Sequence, residues 1–385
     1  MLELAFKGGK SYWGWIVALL VVIGGAFGLY LGQIKLGLGI TGMSRDVSWG
    51  FYIANFTYLV GVAAGGVMVV LPYYLHNYKA FGKVTILGEF LAIASIVMCL
   101  LFIIVDLGQP MRLFNVPLYP TPNSVLFWDM IVLNGYLFLN VVIGWNVLEA
   151  ERNGVHYQKW LKPFIYISIP WAVSIHTVTA YLYCGLPGRH FWLTAILAPR
   201  FLASAFAAGP SLLILLCLFI RRVTNFDPGR EQIQSLAKIV AYAICINVFF
   251  FLCEVFVAFY SNIPAHMDHI KYLFVGLHGK NALVPWMWSS MILMALGIIL
   301  LVNPITRKHE GVLAFGCVVI IIGTWIDKGL GMISGGFVPN PMHHVTEYTP
   351  TIPEIGITVG VYAVGALVLT ILYKLAVSVK EEVQL

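Results

Sequence analysis

With 385 residues, 60% of them hydrophobic and only 10% charged, this chain has too little charge to coat a soluble surface, for which about 25% is usual. A net charge of +6 would suit an acidic partner, yet no basic cluster exceeds the pair Arg221-Arg222, which argues against nucleic-acid binding. A helical membrane protein with its basic residues in loops satisfies both facts.

In chain order, the mildly basic residues Met1 to Lys10 lead into an apolar run too long for a signal peptide and without a small-residue cleavage site. That run is expected to stay as helix 1, near Trp13–Leu31. Runs of the length a span needs, about 20 apolar residues, follow near Phe51–Leu75, Val84–Val105, Val125–Leu148, Phe164–Tyr183 and Phe201–Ile220 (helices 2 to 6). Four more lie near Ile239–Tyr260, Ala282–Val302, Val312–Ile326 and Ile355–Val377 (helices 7 to 10). The expected fold is therefore all-α, a polytopic membrane protein with ten transmembrane helices and no sizeable soluble domain. Helix 9 is the shortest, and Asp327 and Lys328 are expected to form an interfacial ion pair at its end.

Fifteen of the 23 Lys and Arg residues, Lys79 and Lys83 among them, fall on the side of the N-terminus. The other eight, including Arg112, Arg189 and Arg200, fall in the opposite loops. The positive-inside rule then puts both termini in the cytoplasm, with the chain in the cytoplasmic (inner) membrane. The outer loops Asn115–Asn123 and Phe337–Pro353 are rich in proline and poor in charge, and suit either a docking surface or plain caps. Glycines at four-residue spacing (Gly24, Gly28 and Gly32; Gly61 and Gly65; Gly356 and Gly360) mark faces where helices in lipid can approach closely.

Six cysteines stand singly and form no CxxC, a pattern of packing residues that offers neither an iron–sulfur cluster nor a structural zinc. Ionisable side chains at membrane depth are functional candidates, and few occur: Glu89, Asp129, His176 and Glu254, with Asp327 at a helix end. At a rise of about 1.5 Å per residue, Asn55 lies roughly 6 Å and His176 roughly 12 Å from the outer boundary. Asp129 is about one turn in, so the three share an outer-leaflet layer, with Asp106 and Arg112 above it. An amide, a carboxylate and an imidazole at one depth suit a quinone head group, which needs hydrogen bonds and proton exchange. The same residues would equally serve as a self-satisfied triad fixing helix register. A bis-histidine haem would need two histidines at matching depth, and His176 alone lies well inside a span.

The runs Ser48–Gly66 (SWGFYIANFTYLVGVAAGG), Asp106–Asn115 (DLGQPMRLFN) and Ile169–Pro210 resemble the NrfD/PsrC family, membrane subunits of polysulfide-reductase-like complexes. The likeness is greatest to its ten-helix branch, the DsrP-type subunits of the DsrMKJOP complex, with HmcC-like and QrcD-like subunits near it. The resemblance implies two four-helix bundles, helices 2–5 and 6–9, with helices 1 and 10 peripheral. The corresponding segments are residues 1–50, 51–184 (the quinone site), 185–328 and 329–385. It further implies menaquinone bound in the first bundle, with Asn55, Tyr52, Asp106, Arg112, Asp129 and His176 around it and Asp129 and His176 handling its protons. Implied partners are an extracytoplasmic ferredoxin-like iron–sulfur subunit and the other membrane and cytochrome subunits of a Dsr-type complex linked to sulfate or sulfite respiration, this chain itself carrying no haem or cluster. The helix 4 run SVLFWDM departs from the Ser-Pro-Met-Ser-Trp-Gly pattern common in other members. Glu89, Glu254 and Asp327 could form a proton route. In the alternative reading they couple ions in a secondary transporter, although the sequence has no pair of helices broken at the midplane.

Overall fold

The computed structural model describes residues 2–76 and 81–384; Lys79, counted above among the basic residues, lies outside them. Ten helices among the described residues are long and apolar enough to span a membrane. They are Lys10–Leu36, Phe51–Tyr74, Gly82–Asp106, Val125–Arg152 and Leu161–Cys184 (helices 1 to 5), then Leu197–Val223, Arg230–Tyr260, Val284–Val302, Glu310–Ser334 and Ile352–Val383 (helices 6 to 10). Each predicted span overlaps its helix, because an unbroken apolar run in lipid must satisfy its own backbone hydrogen bonds.

Helix packing closes two rings. Helix 2 packs on helix 3, 3 on 4, 4 on 5 and 5 back on 2; helices 6, 7, 8 and 9 do the same. Helix 2 is the hub, since it also meets helices 6 and 9, and 94% of its most apolar window is buried against 17% for helix 1. Small residues allow this. A Cβ on Gly65 would lie 2.6 Å from the Gly209 Cα, so helices 2 and 6 touch backbone to backbone. Beyond Gly65 the helix is interrupted by a turn at Gly66 and contains Pro72.

Helix 10 lies along helices 1, 3 and 4. Its glycines Gly356 and Gly360 receive Leu29 and Ala26 of helix 1. The stripe Gly24, Gly28 and Gly32 departs from expectation: a Cβ on any of them would meet nothing within 4 Å, because helix 1 turns its Ala26 face to helix 10 instead. At the start of helix 10, the fully buried Glu354 accepts from the backbone N–H of Gly42 (3.1 Å), Phe51 (3.3 Å) and Thr351 (3.3 Å), and from the Tyr348 hydroxyl. One carboxylate thus ties the first loop and the start of helix 2 to the start of helix 10.

Two sequence expectations fail together. Helix 9 does not end at Ile326; it continues as a π-helical stretch, Ile326–Ser334, every residue of which is buried. Asp327 and Lys328 are therefore inside the helix and do not pair with each other. Arg200 is not a loop residue either, since helix 6 begins at Leu197 and buries it. The physical reason is shared: each charge looked unaffordable inside a span until its partner on another helix is known.

Candidate functional site

A cleft of about 320 Å³ at the loop-rich end is lined by Ser48, Trp49, Leu186, Pro187, Gly188, Arg189 and Phe337. Its floor is aromatic. Trp49 stacks on Trp192 at 5.9 Å between ring centroids and meets Tyr183 (5.6 Å) and Phe337 (5.8 Å) edge-on. Trp192 is fixed by its indole N–H donating to the Met332 carbonyl (2.8 Å) in the π-helical stretch. It lies so close to Gly336 that a Cβ there would sit 2.2 Å from the indole nitrogen. The rim carries Arg189, whose guanidinium lies 4.5 Å over the Phe337 ring and donates to the Phe337 (3.0 Å) and Asp46 (3.3 Å) carbonyls.

Beneath this floor, helix 5 presents His176, Thr179 and Tyr183 on one buried face, at the i, i+3, i+7 spacing of a single helical stripe. Tyr183 shares a short hydrogen bond with Thr57 of helix 2. Thr179 donates to Asp129 of helix 4 at 2.7 Å. His176 places Nε2 3.4 Å from the Lys328 Nζ of helix 9, while its Nδ1 finds no hydrogen-bond partner among the described residues. Phe201 of helix 6 packs between these groups: its ring is 5.9 Å from Tyr183, 6.2 Å from His176 and 4.3 Å from the Lys328 Nζ.

The second ring holds its charges differently. Arg200 grips Asp327 bidentately (2.7 and 2.9 Å) through one terminal nitrogen and reaches Glu254 with the other. A cavity of about 10 Å³ lies among Arg200, Phe201, Ser204, Asn247, Asp327, Lys328 and Met332, room for about one water.

The expected layer of Asn55, Asp129 and His176 is not a single site. His176 and Asp129 join the helix 5 stripe. Asn55 turns away and accepts from Trp325 (3.0 Å) and Tyr362 (2.8 Å), fastening helix 2 to helices 9 and 10. Tyr52 donates to Gln33 of helix 1 (2.8 Å), which in turn donates to the Val105 carbonyl (2.6 Å). Asp106 ends helix 3 with one buried oxygen unpartnered among the described residues, and Arg112 is exposed on the short helix Pro110–Phe114. None of these four lines the cleft. Glu89 is buried near the other end of helix 3, with neither oxygen hydrogen-bonded among the described residues. Sequence reasoning missed Trp49, Tyr183, Arg189, Phe337, Arg200 and Lys328. The three- and seven-residue spacing from His176 could have found Tyr183; the rest depend on contacts between distant segments.

Ten spans, a polar stripe inside one ring and an aromatic-floored cleft at its mouth define a polytopic membrane protein with a built internal site. The profile of the family described as polysulphide reductase, NrfD, matches residues 39–338, and the chain belongs to that family. It is 27% identical, over 92% of its length and 89% of the relative's, to a putative membrane subunit of dimethyl sulfoxide reductase from Halobacterium salinarum. It is 23% identical, over 96% and 94%, to the Hdr-like menaquinol oxidoreductase integral membrane subunit of Archaeoglobus fulgidus. A third relative, 20% identical over 94% and 90%, is the menaquinone reductase integral membrane subunit of Nitratidesulfovibrio vulgaris.

Proposed function

We propose that this chain is the quinone-reactive membrane subunit of a respiratory oxidoreductase, exchanging electrons between menaquinone or menaquinol and an extracytoplasmic iron–sulfur subunit. The observation that carries the reading is the cleft whose aromatic floor, Trp49 and Tyr183, stands on the buried stripe of Tyr183, Thr179 and His176. The names of two relatives, which speak of menaquinol and menaquinone, support the choice of ligand. The loop-rich end faces outward on the charge count, with both termini in the cytoplasm. Its docked subunits would be those of a Dsr-type complex, the iron–sulfur protein with cytochrome and further membrane subunits, in sulfur respiration.

The cleft suits a flat bicyclic ring. Its volume falls at the lower end of the range for small-molecule sites, its walls are apolar and aromatic, and Ser48 and Arg189 supply donors at the rim. A bound quinone supplies two-electron, two-proton chemistry. Trp49 and Phe337 would orient the ring and exclude water. Arg189 and Ser48 would hold its oxygens, Tyr183 and Thr57 bridge from the floor to the interior, and Asp129 and His176 would take or give protons there. Tyr52 and Asn55 act behind the site by fixing helices 1, 2, 9 and 10, Asp106 closes helix 3, and Arg112 serves the outer surface. Of the three carboxylates an ion-coupled transporter would use, Glu254 and Asp327 are committed to Arg200, which favours the quinone reading over that alternative.

The test is binding of a fluorescent hydroxyquinoline N-oxide quinol analogue to the purified complex. Trp49→Ala should weaken it by roughly three- to tenfold, the loss of a stacked aromatic face being worth about 0.5–1.5 kcal/mol. Unchanged affinity in Trp49→Ala would remove the cleft from the reading.

A further inference from the structure

Asp327 and Lys328 are consecutive, yet they face different rings. Asp327 lies in the ion cluster with Arg200 and Glu254, whereas Lys328 reaches the first ring and meets His176. The π-helical winding that starts at Ile326 accompanies this divergence, and such windings recur at functional positions. We propose that Lys328 is the proton exchanger joining the helix 5 stripe of the first ring to the charged cluster of the second, and that Arg200 is the positioning residue that keeps it there by gripping Asp327. The inference rests on the quinone reading above and adds to it a route for the proton.

His176 has one nitrogen facing Lys328 and the other buried without a partner among the described residues. An imidazole so placed can accept a proton on one side and release one on the other, because the tautomer is set by what each nitrogen meets. Lys328 is almost fully buried and forms no salt bridge with a carboxylate among the described residues. It is held by the Phe201 ring face and by close approach to helix 2, where a Cβ on Gly61 would lie 3.2 Å from its Nζ. Lys328 also lines the cavity with room for about one water, where the buried Asn247 Oδ1 lacks a donor among the described residues.

The charged and titratable groups that act on Lys328 come from helices 3, 5 and 6 and from its own helix 9. Helix 5 gives His176, helix 6 Arg200, helix 3 Cys99, and its own helix Asp327; Asp129 of helix 4 acts on Cys99 and stands one step further off. Glycine is what helix 2 offers at this point. Asp327 is a poor exchanger because both its oxygens are held by Arg200. Lys328 is free to exchange.

The step balances without electron transfer. A proton arriving from the stripe forms an N–H bond at His176 Nδ1, the Nε2–H bond breaks, and that proton bonds to the Lys328 amine. The imidazole ends neutral and Lys328 ends as ammonium, which releases a proton to the cavity side. Quinone reduction runs the same exchange in reverse, while the electrons pass separately to or from an iron–sulfur carrier.

The experiment uses the whole complex, with analogue affinity, quinol turnover and its pH profile measured for Lys328→Met, Lys328→Arg and Arg200→Lys. Lys328→Met should bind the analogue within about threefold of the unaltered complex but turn over roughly 10²-fold more slowly, the usual worth of a proton-transfer group. Its turnover should also lose the pH-dependent limb seen in the unaltered complex. Lys328→Arg should fail likewise, since a guanidinium keeps its proton. Arg200→Lys, with a single-point grip on Asp327, should lower kcat and leave KM nearly unchanged. Unaltered turnover and pH profile in Lys328→Arg would overturn the proposal, and that variant decides the matter if Lys328→Met does not assemble. Failure of the unaltered complex to bind the analogue would instead remove the quinone reading, and this inference with it.

Discussion

The two rings handle buried charge in opposite ways. In the ring of helices 6 to 9, Arg200 neutralises Asp327 and Glu254 in one cluster. In the ring of helices 2 to 5, Glu89 has no hydrogen-bond partner among the described residues and Asp129 has a threonine. A buried ion pair holds helices in register, and breaking it leaves an uncompensated charge. A lone buried carboxyl fixes nothing in place, but it is available to exchange a proton. One ring thus holds Asp327 and Glu254 in an ion-paired scaffold, while the other keeps Glu89 and Asp129 free of ion pairs among the described residues; on the proposed reading that second ring is the working interior, with Lys328 reaching into it.

Removal of the central cation should give the largest effect on stability. Arg200→Met leaves Asp327 and Glu254 buried together without a counter-charge, at a cost of about 3–5 kcal/mol. The thermal midpoint of the purified complex should fall accordingly, and the subunit should assemble poorly. Adding Asp327→Asn and Glu254→Gln to the same chain should recover most of that loss. A triple variant no better than the single one would mean that Arg200 acts through packing alone.

The next effect is pH-dependent and belongs to the cap of the second ring. His269, on the short helix Pro264–Phe274 between helices 7 and 8, is buried and its Nδ1 lies 2.7 Å from the Val338 carbonyl and 3.2 Å from that of Gly335. Burial pushes its pKa down from 6.5 to about 4, against the opposing pull of those carbonyls, and His190 and His266 add to the depression. The unfolded chain therefore binds more protons between these values. The contribution is fully present above pH 6.5 and is lost as pH falls towards 4, a change of about 3 kcal/mol over that window. Hydrogen exchange at residues 335–338 should accelerate on acidification, and His269→Leu should abolish the pH dependence.

How much of this was legible beforehand follows from what a sequence records. Ten spans could be read because apolar length is a local property. Depth could be read in part, since the rise per residue is fixed: Asp129 meets Thr179, one turn from His176. The direction in which a side chain points around the helix axis could not. Asn55 lies six residues nearer the start of helix 2 than Gly61, beside which His176 sits, and it faces Trp325 and Tyr362, residues 270 and 307 positions away. Helix 9 was cut short for a related reason: Asp327 reads as a helix end until Arg200, 127 residues earlier, supplies its partner. The cleft was the least legible part. Trp49, Leu186 and Phe337 are ordinary apolar residues in three separate loops, and only the fold gathers them.

The contact between the rings offers a smaller effect with its own control. Gly209→Ala should cost about 1–3 kcal/mol, since the new methyl would lie 2.6 Å from the Gly65 Cα and neither backbone can give way easily. Gly28→Ala on helix 1 has open space and should be neutral or slightly stabilising, given the helix preference for alanine. Equal melting shifts for the two would mean that helices 2 and 6 are less tightly joined than this close approach indicates.

The smallest effect on stability separates the rings most sharply. Asp129→Asn keeps the shape and still accepts from Thr179, and Glu89→Gln replaces a carboxyl that has no hydrogen bond to lose among the described residues. Each should move the melting free energy by less than about 1 kcal/mol, because no ion pair is broken and no buried charge is stranded. If Asp129 serves proton exchange, Asp129→Asn should nonetheless slow quinol turnover roughly 10²-fold, with analogue affinity nearly unchanged, because the amide cannot exchange the proton. Asp327→Asn should show the inverse balance, a clear loss of stability from the broken charge-assisted grip of Arg200 on helix 9, although Glu254 still pairs with Arg200. If Asp129→Asn and Asp327→Asn instead lose stability alike, the carboxyls of both rings are structural, and the division between scaffold and working interior fails.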